Sequence, residues 1–259
     1  RHRAALLVER SRAAEADGNQ DQALALARKA HDLEPASVPA AVQAARLLAA
    51  TGAARAATRA LEQSWRLAPH PELAAAWGTA GEKAGDAADP LARVKRLEAL
   101  VALDASVPEA HVALADAATE ARLWGLARGH LTRALALRPS ARVYRRLAAL
   151  ATAEHGQGAE ERGHLAQAAK AAPDPAWVCQ ACGGVNPAWG ALCSHCGGFD
   201  TLVWRVPGSA ARSAAAETLG FLPPPEPPAG GAEAGGGLRG LSNRLPSFTL
   251  ASFRPGRRT

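Results

Sequence analysis

The sequence predicts an all-α solenoid of paired helices, followed by a small metal-binding ribbon and a disordered tail. Three observations lead to this fold class. The chain has 259 residues, of which 48% are hydrophobic but only 4% aromatic, and alanine, an excellent helix former and poor strand former, dominates much of it. Prolines that end apolar stretches recur at a regular interval. All four cysteines lie in one short segment.

The helical part repeats with a period of about 34 residues. Apolar stretches end in proline at Pro35, Pro69, Pro139 and Pro173. Ala105 stands where a further proline is expected between Pro69 and Pro139. Proline ends a helix because it lacks an amide hydrogen and clashes with the preceding turn. A two-helix unit of this length is the tetratricopeptide period. An irregular alanine-rich bundle is the alternative.

Details inside each unit support helix pairs. Small residues stand where the two helices of a pair must approach closely, and glycine stands in three of the turns between them, where a left-handed backbone conformation is expected. The small residues are Ser11, Ala23, Ala45, Ala57, Ala115 and Ala127, and the glycines are Gly18, Gly52 and Gly156. We predict five units in residues 1–175. The third, with two extra residues near 85–90, and the fifth, with Glu161 at a small-residue position, are degenerate.

This segment resembles the tetratricopeptide-repeat family, whose solenoids bind a peptide or protein partner on the face lined by the first helix of each unit. The resemblance implies a groove that includes Val8, Arg12, Val42, Arg46, Lys83, Val112, Asp116 and Arg146. Arg12, Arg46, Lys83 and Arg146 would then form a basic partner-binding cluster for an acidic or C-terminal carboxylate ligand, because guanidinium groups bind carboxylates well. Ordinary solvated charges are the alternative interpretation.

Residues 176–206 are predicted to form a four-cysteine zinc ribbon. Cys179, Cys182, Cys193 and Cys196 form two C-x2-C pairs, each followed by two glycines. Four thiolates suit tetrahedral zinc or a single iron, and leave no coordination position open for a substrate. We therefore expect a structural zinc, with iron possible. Paired disulfides and a thioredoxin-like redox site are alternatives that the doubled spacing and the surrounding pattern disfavour.

Four aromatic residues and one leucine of the ribbon are expected to form its apolar shell, because so small a module needs both a metal and a local core. These are Trp177, Trp189, Phe199, Leu202 and Trp204. They could instead stack on bases, but the four thiolates around a divalent metal leave negative charge that repels phosphate. We therefore expect no nucleic-acid ligand. His195, inside the second pair, is expected to be exposed.

Tetratricopeptide repeats followed by Trp177-Val-Cys179-x2-Cys182-Gly and Trp189-x3-Cys193-x2-Cys196-Gly-Gly-Phe199-Asp200-Thr201-Leu202-x-Trp204 resemble the C-terminal part of the bacterial HemY family. The lipopolysaccharide assembly protein B family is similar in plan, with a rubredoxin-like ribbon. The HemY resemblance implies an inner-membrane protein associated with haem biosynthesis, with the repeats on the cytoplasmic side and an anchor outside this chain. The second family implies a regulatory adaptor. Because the chain contains no methionine, we expect Arg1 to lie inside a longer protein.

Residues 207–259 are predicted to be a disordered basic tail, since they are rich in proline, glycine and alanine without apolar periodicity. Such a tail could contact anionic lipid or simply confer solubility. No phosphate-binding loop or nucleophile–base pair stands out, and Glu161 with His164 is an ordinary surface pair. We therefore predict a noncatalytic protein-interaction scaffold without a small-molecule substrate, with a rubredoxin-like iron electron carrier as the alternative class.

Overall fold

The computed structural model describes residues 1–82 and 89–208. Within these residues the chain forms ten α-helices and one three-stranded antiparallel sheet. The helices are α1 (His2–Ala16), α2 (Gln20–Leu33), α3 (Val38–Ala50), α4 (Ala54–Leu67), α5 (Pro71–Thr79), α6 (Pro90–Leu103), α7 (Pro108–Glu120), α8 (Trp124–Leu137), α9 (Ala141–His155) and α10 (Ala159–Lys170). The strands are β1 (Ala176–Cys179), β2 (Val185–Asn186) and β3 (Leu202–Arg205), in the spatial order β2-β1-β3.

The helices pack as five consecutive hairpins, and the predicted all-α solenoid is confirmed. Each helix packs against the next, and the first helices of successive pairs also contact one another: α1 with α3, α3 with α5, α5 with α7, and α7 with α9. These first helices therefore share one inner face, as in tetratricopeptide repeats. In the described residues no helix is long and apolar enough to cross a membrane.

The small residues predicted at the helix contacts are buried, with Ser11, Ala23, Ala57, Ala115 and Ala127 all close to fully inaccessible. Ser11 shows why a small polar residue is tolerated there, because its hydroxyl donates to the carbonyl of Ala23 on α2 at 2.8 Å. A buried hydroxyl must find such a partner to avoid a desolvation penalty.

The turn inside four of the hairpins contains a residue with positive φ. Gly18, Gly52 and Gly156 have φ of +78°, +79° and +80°, and Arg122 occupies the equivalent position with φ 57°. In three of these turns the next residue's amide closes the helix, for example Leu123 N to Ala118 O at 2.8 Å. The backbone conformation is thus retained where the sequence does not supply glycine.

The third pair is the shortest, because α5 ends at Thr79 after nine residues. Lys83 and residues 85–88 of the predicted insertion near 85–90 lie outside the described residues, as do residues 209–259 of the predicted tail.

Candidate functional site

The four cysteines converge on one point in the ribbon. Their sulfur atoms all lie within 4.8 Å of one another, with Cys179 Sγ 3.8 Å from Cys196 Sγ and Cys182 Sγ 3.8 Å from Cys193 Sγ. All four are free thiols, and the separations are far above the roughly 2.05 Å of a disulfide. Four sulfurs about 2.3 Å from a central zinc would stand about 3.8 Å apart in a tetrahedron. The donor set therefore fits a tetrahedral metal ion.

Two equivalent turns hold the cysteines. In the first, Gly183 N donates to Cys179 O and Cys179 N to Gly184 O, both at 2.9 Å; in the second, Gly197 N donates to Cys193 O at 2.9 Å. Gly183 and Gly197 have φ of +73° and +69°, which explains the glycine after each C-x2-C pair. The two turns present their sulfurs to one centre.

The surroundings of Cys179 and Cys193 favour the ionised form of these two thiols, whereas neighbouring thiols help to raise the pKa of Cys182 to about 12. The Thr201 hydroxyl, 3.2 Å from Cys179 Sγ, and the backbone amides of Cys182 and Ala181 lower the pKa of Cys179 to about 6. Asn186 Nδ2 lies 3.6 Å from Cys193 Sγ. A thiolate is the form that binds a metal, so these groups prepare Cys179 and Cys193 for coordination. Zinc and iron both accept such a set.

His195 is exposed, and its Nε2 lies 2.9 Å from the carbonyl oxygen of Val185. The carbonyl accepts a hydrogen bond from this nitrogen, so the ring is held away from the sulfurs by a backbone partner.

The segment after α10 leads the ribbon back along the solenoid. After α10 the chain passes the start of α9, where Arg142 N donates to Asp174 Oδ1 at 2.9 Å. It then crosses to α5, where Trp177 Nε1 donates to Glu72 Oε1 at 2.7 Å. The ribbon thus lies along the beginnings of the first helices instead of extending the solenoid.

The far end of the ribbon reaches the first helix. Asp200, buried at 6% exposure, accepts from Arg1 Nε at 3.3 Å and lies 2.8 Å from His2 Nδ1. The Arg1 guanidinium also donates to the carbonyls of Asp200 and Leu202, both at 3.0 Å. A buried carboxylate requires such partners, so Asp200 fixes the ribbon to α1.

Aromatic residues fill the interface between ribbon and solenoid. His70, just before α5, packs against Trp177 and Trp204 with ring centroids 5.2 and 4.3 Å apart. Trp177, Trp189 and Leu202 are buried in the same core cluster as the helices. Phe199 is 41% exposed, so its predicted role in the apolar shell is wrong. The shell is completed by the solenoid instead, which only the tertiary structure reveals.

The three arginines of the predicted groove that the structure describes each contact another part of the protein. Arg46 pairs with Glu15 across α1 and α3, and Arg146 Nε lies 2.9 Å from Asp116 Oδ1 across α7 and α9. Arg12 pairs with Glu9 and lies over the Trp189 ring, 5.2 Å from its centroid. Each arginine already has an internal partner. The groove assignment of these residues stays a prediction.

The valines predicted in the groove differ in accessibility. Val8 is fully buried, with 0% exposure, because it packs between helices. Val112 is 3% exposed but lines an open cavity of about 480 Å³ between α5, α7 and α9. Val42 is half-buried and lines an open cavity of about 640 Å³ between α3 and α5, together with Arg46, Glu72 and Glu82.

Sequence reasoning missed three arginines near the start of α9. Arg138, Arg142 and Arg145 line a second open cavity, of about 480 Å³, between α5, α7 and α9. The segment Arg138-Pro-Ser-Ala-Arg142-Val-Tyr-Arg145-Arg146 is the densest run of arginine in the repeats. That density of arginine is the feature of the sequence that could have indicated a basic site here.

These features define a tetratricopeptide-repeat solenoid with a four-cysteine ribbon folded back on its first helices. No family model matches the chain. A curated relative, the probable magnetosome protein Mms48 of Magnetospirillum gryphiswaldense, is 33% identical over 220 residues. The match covers 80% of this chain, which spans 44% of that relative's length.

Solved structures with the same repeat class resemble the fold more distantly. MamA is 15% identical with a TM-score of 0.38, covering 62% of this chain and 92% of its own. The tetratricopeptide-repeat protein TTC0263 of Thermus thermophilus is 18% identical with a TM-score of 0.42, covering 65% and 91%. YrrB, described as a tetratricopeptide-repeat protein with an unusual peptide-binding site, is 15% identical with a TM-score of 0.36, covering 65% and 86%.

Proposed function

We propose that this chain is a noncatalytic scaffold that holds a protein partner on the inner face of its solenoid. The observation that carries the proposal is the pair of open cavities along that face, about 640 and 480 Å³ in volume. Both lie between first helices and are open, the smaller one with Trp204 of the ribbon at one side, and their size is within the range of ligand-binding pockets, about 300–1,000 Å³. Open repeat surfaces of this kind suit extended partners.

We propose that the ribbon carries structural zinc. Its sulfurs are held by paired turns and by hydrogen bonds, and its aromatic residues pack into the solenoid core. A structural zinc ion held by four cysteines supplies folding free energy and no open coordination position. The rubredoxin-like iron carrier remains the alternative, and the absorption spectrum of protein purified without added zinc separates the two. A coloured, reducible centre would replace the structural assignment.

Photo-crosslinking tests the scaffold proposal. A photoreactive amino acid is placed at Thr79, an exposed residue that lines the 640 Å³ cavity, in the longer parent protein. Thr132, an exposed threonine on α8, is the matched control. We expect a specific protein adduct from position 79 and none from position 132. Adducts from the control position alone would refute inner-face binding.

The cellular role is a separate proposal. The HemY resemblance would give an inner-membrane protein of haem biosynthesis with cytoplasmic repeats, and the lipopolysaccharide resemblance a regulatory adaptor. The 33% identity to a probable magnetosome protein favours a third candidate, a scaffold in a magnetosome-related assembly. Deleting the parent gene separates them: haem content would fall under the first hypothesis, lipopolysaccharide content would change under the second, and magnetosome formation would change under the third. Membrane association through a segment outside this chain also stays a proposal.

A further inference from the structure

The cavity between α5, α7 and α9 is basic. Its walls include the beginnings of these three helices, and Trp204 of the ribbon and the linker residues Asp174 and Pro175 form one side. Four guanidinium groups face it against three carboxylates. The charged residues are Arg138, Arg142, Arg145, Arg146, Glu72, Glu109 and Asp174.

The three carboxylates are already engaged. Glu72 accepts from the Trp177 indole at 2.7 Å, Glu109 pairs with Arg138, and Asp174 pairs with Arg145. Arg146 pairs with Asp116 at the edge of the cavity. None of these carboxylates is left to neutralise the remaining arginine.

That remaining arginine is Arg142. Its backbone amide binds Asp174, but within residues 1–82 and 89–208 its guanidinium forms neither a hydrogen bond nor an ion pair. The side chain is half-buried, and burial, despite nearby carboxylates, lowers the pKa of Arg142 from its usual value. A half-buried guanidinium without a protein partner, in a cavity lined by three further arginines, favours an anion supplied from outside.

We propose that this cavity binds an acidic segment of a partner peptide, with a side-chain carboxylate of the peptide paired to the Arg142 guanidinium. The proposal rests on the scaffold function and specifies the chemistry of the partner. It also makes the site composite, because Trp204 and the linker belong to the ribbon side of the cavity.

The arginines beside Arg142 favour a ligand with several carboxylates over a ligand with one. Arg138, Arg145 and Arg146 are 52%, 57% and 46% exposed at the side chain, and ion pairs this exposed contribute little to stability. Their guanidinium groups can therefore turn to a ligand at small cost. A run of acidic side chains matches such a row, whereas a chain terminus offers a single carboxylate.

The test measures fluorescence anisotropy of a labelled peptide containing a run of glutamates, acetylated and amidated at its ends, against the zinc-loaded protein. A matched glutamine peptide and a neutral peptide with a free C-terminal carboxylate are the comparison ligands. We expect binding of the glutamate peptide only, and a loss of about tenfold or more in Arg142→Met, the change expected when one charged hydrogen-bonded contact is lost. Arg133→Met, on α8 and exposed, removes the same charge and should change affinity less than about twofold.

A second variant tests the site independently, in case Arg142→Met fails to fold. Ala75 is exposed on the wall of the cavity, so Ala75→Glu introduces a competing carboxylate without disturbing the core, and it should also weaken binding at least about tenfold. The proposal would be overturned if Arg133→Met lost as much affinity for the glutamate peptide as Arg142→Met, or if the glutamine peptide bound as tightly as the glutamate peptide. It would also be overturned if an oligonucleotide of equal charge displaced the glutamate peptide. So would binding of the free-terminus peptide alone. If partner crosslinks at Thr79 persist while no peptide binds, the scaffold function stands and this assignment fails.

Discussion

The imidazole of His70 packs edge-on against the indole of Trp204, with ring centroids 4.3 Å apart and planes at 63°. Two parts of the chain meet here, since His70 precedes α5 and Trp204 lies in β3. His70 is 2% exposed, and its Nδ1 accepts from the amide of Glu72 at 3.1 Å. One neutral ring therefore caps a solenoid helix and contacts the ribbon, which makes the contact sensitive to protonation.

Acid should lower the free energy of unfolding of the protein because of His70. Burial, with a smaller contribution from the Arg142 charge, lowers the pKa of His70 from 6.5 to about 4. Between these values the unfolded state binds more protons, so stability falls as pH falls from about 6.5 to about 4, by up to about 3 kcal/mol in total. Denaturant unfolding at a series of pH values measures this slope. His70→Asn keeps a capping side chain and should flatten it.

The pH experiment needs two comparisons. His31 and His130 also have pKa values lowered, in both cases mainly by burial, so only the difference between wild type and His70→Asn reports on His70. His155, 57% exposed at the side chain, provides the control: His155→Asn should keep the wild-type slope. An unchanged slope in His70→Asn would show that this contact does not govern acid stability.

Removing the metal should free the ribbon but leave the helices. Cys179→Ser deletes one of four sulfurs, and a site with three thiolates binds zinc more weakly. We expect loss of stoichiometric zinc, a red shift of tryptophan fluorescence as Trp177 and Trp189 gain solvent, and far-ultraviolet helicity largely retained. His195→Ala should keep one zinc per chain, because its ring lies against Val185 O. Collapse of the helical signal in Cys179→Ser would show that the repeats depend on the ribbon.

The hydrogen bond from the Trp177 indole to Glu72 should contribute much of the free energy that holds the ribbon on the solenoid. Trp177→Phe retains the ring contacts but removes a partly buried hydrogen bond to a carboxylate, at a cost of about 1.5–3 kcal/mol. A double-mutant cycle with Glu72→Met, which removes the acceptor oxygen, followed by thermal unfolding of the zinc-loaded protein, measures the coupling. Trp204→Phe is the matched control and should show little coupling to Glu72→Met. Additive effects of Trp177→Phe and Glu72→Met would contradict the attachment.

Local features of the fold are predictable from the sequence, whereas the docking of the ribbon is not. Pro35 and Gly18 act on their own helices, and the cysteine spacing with Gly183 specifies its own turn, so short-range physics suffices for each. The contact of Arg1 with Asp200 joins residues 199 positions apart and depends on the summed geometry of five hairpins. No local sequence pattern predicts how five hairpins together place these two residues.

The same argument applies to the candidate binding residues. Family position pointed to Arg12 and Arg46, but each has an internal partner in the structure. Arg142 could be seen in the sequence as part of an arginine-rich segment. Its unpaired state depends on which carboxylates Trp177, Arg138 and Arg145 already occupy, and that is decided only by packing.

The left-handed turn at Arg122 offers a stabilising substitution. Arg122 stands where the other turns have Gly18, Gly52 and Gly156, and its φ of 57° is strained for a residue with a Cβ. Its side chain is exposed, so Arg122→Gly removes strain without losing packing, while glycine adds entropy to the unfolded chain. The net effect should be an increase of about 0.5–1 kcal/mol in the free energy of unfolding. Gly52→Ala is the reverse change in an equivalent turn and should lower that free energy by about 1 kcal/mol. Chemical denaturation of both variants checks the pair, and a destabilised Arg122→Gly would mean that the arginine side chain stabilises this turn by more than its backbone strain costs.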